Sequence, residues 1–245
     1  MKDYVHPETG KTYNVDKLEL KTDEGRGFGK AKFILKEGGT LGDLYTHADL
    51  KRDINGNILI DDSGNVTAID NAGDIKLGSV LPKANLAWNN SFSYKGINAG
   101  FLLTARLGGI VYSATQAYLD LYGVSETSAA ARDAGGVWIN GRSHVNPQSF
   151  YEVVASQSGL PTYYTYSATN LRLQEAHIGY TVPRRWLGNV CDINVSLVGR
   201  NLWMIYCKAP FDPEAVATTN NYYQGIDYFM MPSTRNIGFN IKINF

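Results

Sequence analysis

The chain has 245 residues, and its 23 Lys and Arg balance 23 Asp and Glu to a formal net charge of +0. Its summed charge therefore offers no pull toward phosphate backbones, and nucleic acid is set aside as a partner. Hydrophobic residues make up 44 % and charged residues 19 %, with 25 Gly and 16 Tyr, the composition of many strands and turns rather than of a helical enzyme.

The first residues, Met1 to Glu8, lack the charged and apolar regions of a secretory signal. No stretch approaches the roughly 18 apolar residues of a spanning helix. Entry into a membrane is expected through strands, with the export signal outside this chain.

In chain order, Gly25, Gly27 and Gly29 miss the dinucleotide fingerprint, and 27–35 is a poor strand candidate. Asp53, Asn55, Asn57 and Asp61 hint at a calcium loop, but Gly56 is misplaced for an EF-hand, and a hairpin with an Asn-Gly turn explains the run more simply. From Ala84 the pattern becomes regular. Leu86, Trp88, Phe92 and Tyr94 alternate with Asn85, Asn89, Ser91 and Ser93; after a tight turn at Lys95-Gly96, Ile97, Ala99, Phe101, Leu103 and Ala105 alternate with Asn98, Gly100, Thr104 and Arg106. That period of two predicts strands with one apolar face. Helices are expected in the next connection, at 148–156 behind Asn146-Pro147 and within 111–122. The segment 171–182 is a further strand, though Leu171 and Leu173 fall out of phase with Ala176, Ile178, Tyr180 and Val182. From Asp192 the alternation returns in Ile193, Val195 and Leu197. It ends without error in Ile237, Phe239, Ile241, Ile243 and Phe245.

The links separate membrane barrels from soluble sandwiches. Tyr94-Lys95-Gly96 and 183–190 are short, while 107–170 and 206–234 are long. Short periplasmic turns, long extracellular loops and strands of about 10 residues characterise outer-membrane barrels, whereas structureless loops above about 12–15 residues are uncommon in compact soluble domains. The expected fold is all-β: an antiparallel transmembrane β-barrel segment whose long extracellular loops contain short helices. Five or six spanning strands fall short of the roughly eight that close the smallest barrels, so the chain needs partner strands, and whether it is a short protein, a truncated gene or a fragment stays open. It reads as 1–83, barrel strands with an extracellular loop region, followed by 84–245, the C-terminal barrel strands with the two long loops.

Several strings then matter together: Gly42-Asp43-Leu44-Tyr45; Arg52 to Ile58; Phe92 to Gly96; Leu171-Arg172-Leu173-Gln174-Glu175 leading to Gly179-Tyr180-Thr181-Val182-Pro183; Gly199-Arg200-Asn201-Leu202; and Phe211-Asp212-Pro213-Glu214. In this order, before a final amphipathic strand, they resemble the C-terminal portion of the SusC/RagA-like TonB-dependent outer-membrane transporters of the Bacteroidetes, from about residue 25 onward. The resemblance implies a large barrel in the outer membrane of a Gram-negative cell, with an N-terminal plug, a SusD-like surface lipoprotein as lid, and import of oligosaccharides or peptides powered by the TonB complex. Plug, TonB-contacting segment and the remaining barrel are not in this chain.

On this reading Asn85, Asn89, Arg106, Arg172, Arg200 and Lys242 line the lumen, because lipid requires the apolar faces outside. Trp88, Tyr94, Tyr180 and Trp203 are candidates for interfacial girdles. Tyr163, Tyr164 and Tyr166 in the first long loop, and Tyr222, Tyr223, Tyr228 and Phe229 in the second, are candidates for contact with substrate or lid, since aromatic faces offer apolar area at low entropic cost; loop self-packing is the competing reading. No catalytic residue, metal site or cofactor is expected. His6, His47, His144 and His177 form no HExxH, and no Gly-x-Ser-x-Gly elbow is present. Cys191 and Cys207 lack zinc spacing and sit at opposite ends of one extended strand, about 16 residues at about 3.3 Å each, too far apart for a disulfide. The competing classes are a soluble or surface all-β glycan-binding module and a β-rich hydrolase.

Overall fold

The computed structural model describes residues 4–5, 7–13, 16–20, 30–141, 143–156, 159–188, 190–217 and 224–244. They fall into two compact units. One comprises 1–81, 110–166 and 216–230, the other 82–109, 167–215 and 231–245.

The second unit is a five-stranded antiparallel sheet. In sequence order its strands are Ala84–Tyr94, Ile97–Leu107, Asn170–Val182, Asp192–Cys207 and Asn236–Asn244, and each pairs with the next in the chain. The first hairpin closes through Lys95 (φ 48°) and Gly96 (φ 86°); two central residues with positive φ match the right-handed twist of the strands they join. Gly96 is required a second time, because a Cβ there would stand 2.9 Å from the Thr181 carbonyl oxygen. The next short turn is a 3-10 segment, Arg184–Leu187, closed by left-handed Gly188, with Arg184 Nε donating to Asp192 at 2.9 Å.

Register explains the phase break at Leu171 and Leu173. Leu103 pairs with Leu173 but Leu102 with Glu175, so Gln174 is an extra residue. Such a bulge returns the preceding side chains to the other face, and Leu171 and Leu173 thereby join Ala176, Ile178 and Tyr180. Opposite, Leu173 pairs with Trp203 and Glu175 with Arg200, leaving Asn201 and Leu202 bulged. The Gly-Arg-Asn-Leu string encodes this irregularity. Asn201 takes φ 51°, tolerated by a short polar side chain, and Gly199 leaves the space filled by the Leu202 side chain, which a Cβ there would meet at 2.5–3.0 Å.

The first unit holds a four-stranded antiparallel sheet of Lys17–Leu20, Ala31–Lys36, Asp43–Thr46 and Ile75–Ser79. The strand candidate at 27–35 thus contributes a six-residue strand here, with Ala31, Phe33 and Ile34 buried; residues 25–29 lie outside the described residues. Gly42 passes so close to Val80 and Leu81 that a Cβ would meet the Leu81 side chain at 2.7 Å. Asp43 beside it is buried and accepts from Thr40 and Lys76.

Beyond that sheet run two matching turns. Asp53 Oδ1 accepts from the amides of Asn55 and Asn57, and Asp61 Oδ1 from those of Ser63 and Asn65. The carboxylates are engaged in shaping hairpins. Asn140, itself at φ 54°, holds the Ile58 backbone on both sides, accepting from its amide at 3.0 Å and donating to its carbonyl at 2.9 Å.

Among the described residues this unit also has three short helices: α1 (Ala114–Leu121), α2 (Glu126–Asp133) and α3 (Pro147–Val154). Each is capped by a side chain that accepts from the first free amides, Ser113, Ser125 and Asn146, the last followed by Pro147 in the first turn. The core includes Phe33, Leu44, Leu50, Val80, Tyr112, Leu160, Tyr164 and Ile226.

Candidate functional site

Cross-strand partners share a face, so the register sorts the sheet's side chains into two sets. One row runs Tyr94, Ile97, Tyr180, Val195, Ile241; another runs Phe92, Ala99, Ile178, Leu197, Phe239; a third runs Trp88, Leu103, Leu173, Trp203. These form one continuous apolar face across all five strands, interrupted in the paired rows by Asn90 opposite Phe101. Leu86, Trp88, Phe92, Leu197, Trp203, Ile237 and Phe239 are all more than half exposed. An apolar surface this wide, unburied within the chain, is what lipid covers and water does not. Tyr94 and Tyr180 lie in one row and Trp88 and Trp203 in another six residues along, about 20 Å at about 3.3 Å per residue, the arrangement of two aromatic belts bounding a hydrocarbon band. Ile237, Phe239, Ile241 and Ile243 stand on the apolar face of the last strand; Phe245 lies outside the described residues.

The opposite face carries Asn85, Asn89, Arg106, Arg172, Arg200 and Lys242 together, through the pairings Asn85–Arg106, Asn89–Leu102, Arg106–Asn170, Arg172–Thr104, Arg200–Glu175 and Lys242–Asn194. Arg200 Nε donates to its cross-strand partner Glu175 at 3.1 Å. Arg172 is different in kind. It is 3 % exposed and forms the centre of a polar hub: Nη2 donates to Asp212 at 2.6 Å, and Nη1 to Asn201 at 2.7 Å and Ser233 at 3.1 Å, with Glu214 3.5 Å away. The Ser233 hydroxyl donates to Asp212, and Asn201 Nδ2 donates to the Ser233 hydroxyl and the Thr234 carbonyl. Burial pushes the Asp212 carboxyl up, but the hydrogen bonds from Ser233, Arg172 and the Glu214 amide outweigh it and hold the group below its ordinary value. Three strings far apart in sequence therefore meet at one guanidinium. Beside the hub a ≈ 390 Å³ cleft is lined by Asn201, Cys207, Phe211, Asp212, Ser233 and Arg235. Cys191 and Cys207 are both free thiols.

The loop aromatics sit in the first unit, and they divide. Tyr164 is 2 % exposed in the core; Tyr163 packs on the edge of Phe150 at 6.1 Å, and Tyr163 and Tyr166 lie against the same core. Burial raises the pKa of Tyr166 to about 12 and also raises that of Tyr163. Tyr228 and Phe229 are outward, 37 % and 58 % exposed, and stack with Tyr118 at 6.2 and 5.5 Å. Their placement has a clear local cause. Tyr112 and Ser113 pair in parallel with Ile226 and Asp227, the Ser113 hydroxyl donates to Asp227 at 2.6 Å, and the Phe229 amide donates to Thr115 at 2.7 Å. Phe229 is held at φ 49°, a conformation costly for a bulky residue. Tyr222 and Tyr223 lie outside the described residues. Asp212 lies in the Phe-Asp-Pro-Glu string, whereas Ser233, Asp227 and Thr115 carry no signal in the sequence.

A sheet with one lipid-type face, one polar face, a two-residue turn at one end and long helix-bearing connections is the wall of an antiparallel outer-membrane β-barrel. No family profile matches the chain. It is similar to TonB-dependent receptor P3 of Formosa agariphila, 23 % identical over 254 residues that cover 93 % of this chain and 24 % of that protein. Among solved structures, the RagAB peptide importer in the open-open state matches with a TM-score of 0.53 and 16 % identity, over 100 % of this chain and 24 % of that one. The closed-closed state gives 0.54 and 14 %, over 94 % and 28 %, and the RagAB peptide transporter 0.55 and 15 %, also over 94 % and 28 %. The chain thus spans about a quarter of the length of these relatives. In sequence it is similar to a portion of a TonB-dependent receptor, and in fold to a portion of the RagAB importer.

Proposed function

We propose that this chain supplies C-terminal wall strands and extracellular loops of an importer that moves oligosaccharides or peptides across the outer membrane, acting by selective passage and without covalent chemistry. The observation that carries this is the continuous apolar face over five strands set against a polar face whose basic and amide side chains include Asn85, Asn89, Arg106, Arg172, Arg200 and Lys242. The polar face lines the lumen. The first and last strands each have a pairing partner on one side alone among the described residues, and in hydrocarbon an unpaired edge leaves backbone groups unsatisfied. Further strands of the same transporter, with its plug, complete the barrel, and its TonB-contacting segment draws on the inner-membrane complex. Residues 1–83 serve as strand and extracellular loop region, and 84–245 as the C-terminal barrel strands with their loops. A SusD-like lipoprotein on the cell surface is the partner, and of the described loop aromatics singled out from the sequence Tyr228 and Phe229 are the exposed ones that can meet it or the substrate.

The test is deletion of the gene followed by uptake of fluorescent oligosaccharides and fluorescent peptides, with affinity capture of the detergent-extracted protein. Loss of uptake of one class, with a surface lipoprotein co-purifying, supports the reading. A monodisperse protein obtained without detergent, with uptake unchanged, overturns it in favour of a soluble binding module.

A further inference from the structure

The three helices of the loop unit line a cleft of ≈ 360 Å³ that the transport reading leaves unused, within the range of about 300–1,000 Å³ common for small-molecule sites. Asp120 and Tyr122 enter it from the end of α1, Arg132 from α2, and Gln148, Tyr151 and Glu152 from α3. The groups are arranged rather than scattered. Asp120, 5 % exposed, has Oδ1 fixed by the Ser125 hydroxyl and by Gln116 Nε2 at 3.1 Å. Gln148 and Glu152, one helical turn apart, are held side by side by a 2.9 Å hydrogen bond from the amide to Oε1. Gly123 (φ +68°) leaves room for the Arg132 guanidinium, which a Cβ there would meet at 2.9 Å. Tyr151 is braced edge-on by Phe150 at 5.4 Å, and Tyr122 is 74 % exposed at the rim.

This chemistry selects among ligand classes. An extended peptide is recognised by pairing with a free strand edge, and an amphipathic helix by an apolar groove; here the walls are helical and the lining interleaves donors and acceptors. An anion finds two carboxylates against one guanidinium. We infer that the cleft binds one uncharged, pyranose-sized sugar unit, its ring face on the rim tyrosine and its vicinal hydroxyls shared between the Gln148–Glu152 pair and Arg132. Planar carboxylate, amide and guanidinium groups reach two adjacent hydroxyls at once, and a tyrosine face covers the apolar side of the ring at small entropic cost. The inference rests on the importer reading and deepens it, making a glycan the cargo captured outside the barrel.

The experiment uses the full-length transporter carrying this chain, purified in detergent, and saturation-transfer NMR with methyl β-D-glucopyranoside, cellobiose and maltose, and with tri-alanine as the peptide probe. The expected result is binding of at least one sugar, weakened 10-fold or more by Glu152→Ala and by Tyr122→Ala. Glu152→Gln, which keeps size and one acceptor, shows an intermediate loss and guards against misfolding, as does an unchanged heat-induced mobility shift of the barrel. Sugar binding unaltered by these variants overturns the inference, as does an absence of binding by every sugar probe or tri-alanine binding that is lost in the same variants. Uptake in cells separates the two readings: if the cleft variants fail to alter sugar binding while gene deletion still abolishes uptake, the cleft assignment falls and the importer stands.

Discussion

Asp212→Ala tests whether the hub ties the 208–215 and 231–235 segments to the wall. Arg172 is 3 % exposed, and the substitution leaves Glu214, at 3.5 Å and 43 % exposed, as the carboxylate nearest to it. Removing one member of a buried ion pair costs about 3–5 kcal/mol, because the remaining charge stays buried and unpaired. Partial rescue by Glu214 reduces the expected loss to about 2–3 kcal/mol, or an open population of these segments raised about 30- to 140-fold at about 1.4 kcal/mol per tenfold. Trypsin reads this at Lys208 and Arg235, since cleavage tracks the open population when reclosing is fast. Wild type, Asp212→Ala, Arg172→Met and the double variant form a cycle in which the single losses exceed the coupled one. Cleavage of Asp212→Ala within twofold of wild type refutes the hub. The pH dependence has a definite sign. Asp212 is depressed in the folded protein, so its contribution is complete above the ordinary aspartate value and is lost as pH falls through the depressed one; pepsin sensitivity at acid pH rises in wild type and not in Asp212→Ala.

Leu197→Arg on the apolar face is expected to cost about 2–4 kcal/mol near mid-bilayer and to reduce assembled barrel in outer-membrane fractions, while Ser196→Arg on the polar face leaves assembly near normal; equal assembly of the two refutes the assignment of faces. Gly96→Ala forces a side chain into a left-handed turn, at about 1–2 kcal/mol, and toward the Thr181 carbonyl, so its folded fraction by heat-induced mobility shift falls below wild type. Tyr164→Ala removes a core side chain at about 3–5 kcal/mol and exposes the helices to proteolysis, whereas Tyr228→Ala leaves proteolysis unchanged and weakens capture of the surface lipoprotein.

The period-two runs made the wall legible, because a strand between lipid and lumen has two solvents and its sequence must alternate between them. The alternation failed at Leu171 and Leu173 for a reason periodicity cannot contain. One added residue, Gln174, reverses the side chains before it, and it is fixed by the pairing of Leu102 with Glu175 and Leu103 with Leu173 on the neighbouring strand, while Asn201 and Leu202 bulge on the other side. The hub was illegible for a related reason: Arg172 meets Asp212 40 residues on and Ser233 61 residues on. The loop tyrosines were visible as a cluster, yet Tyr164 in the core and Tyr228 at the surface carry the same chemistry in sequence. What separates them is the β-pairing of 112–113 with 226–227, a contact more than 110 residues apart along the chain.

The recurrent strings share a physical character that bears on specificity. Gly42 permits a close backbone crossing, Lys95-Gly96 a left-handed turn, Gly199 and Asn201 a bulge, and Asp212 an anchor for buried Arg172. Each solves a problem of backbone geometry or burial. On the proposed importer reading, cargo selection resides in loop residues that the wall does not require: the outward pair Tyr228 and Phe229, and the helical cleft with Tyr122, Gln148 and Glu152. Substitutions that redirect specificity are expected among these loop residues, whereas those in the strings reduce the amount of folded barrel and leave its preference unchanged, a distinction read by comparing uptake per assembled molecule across the two sets.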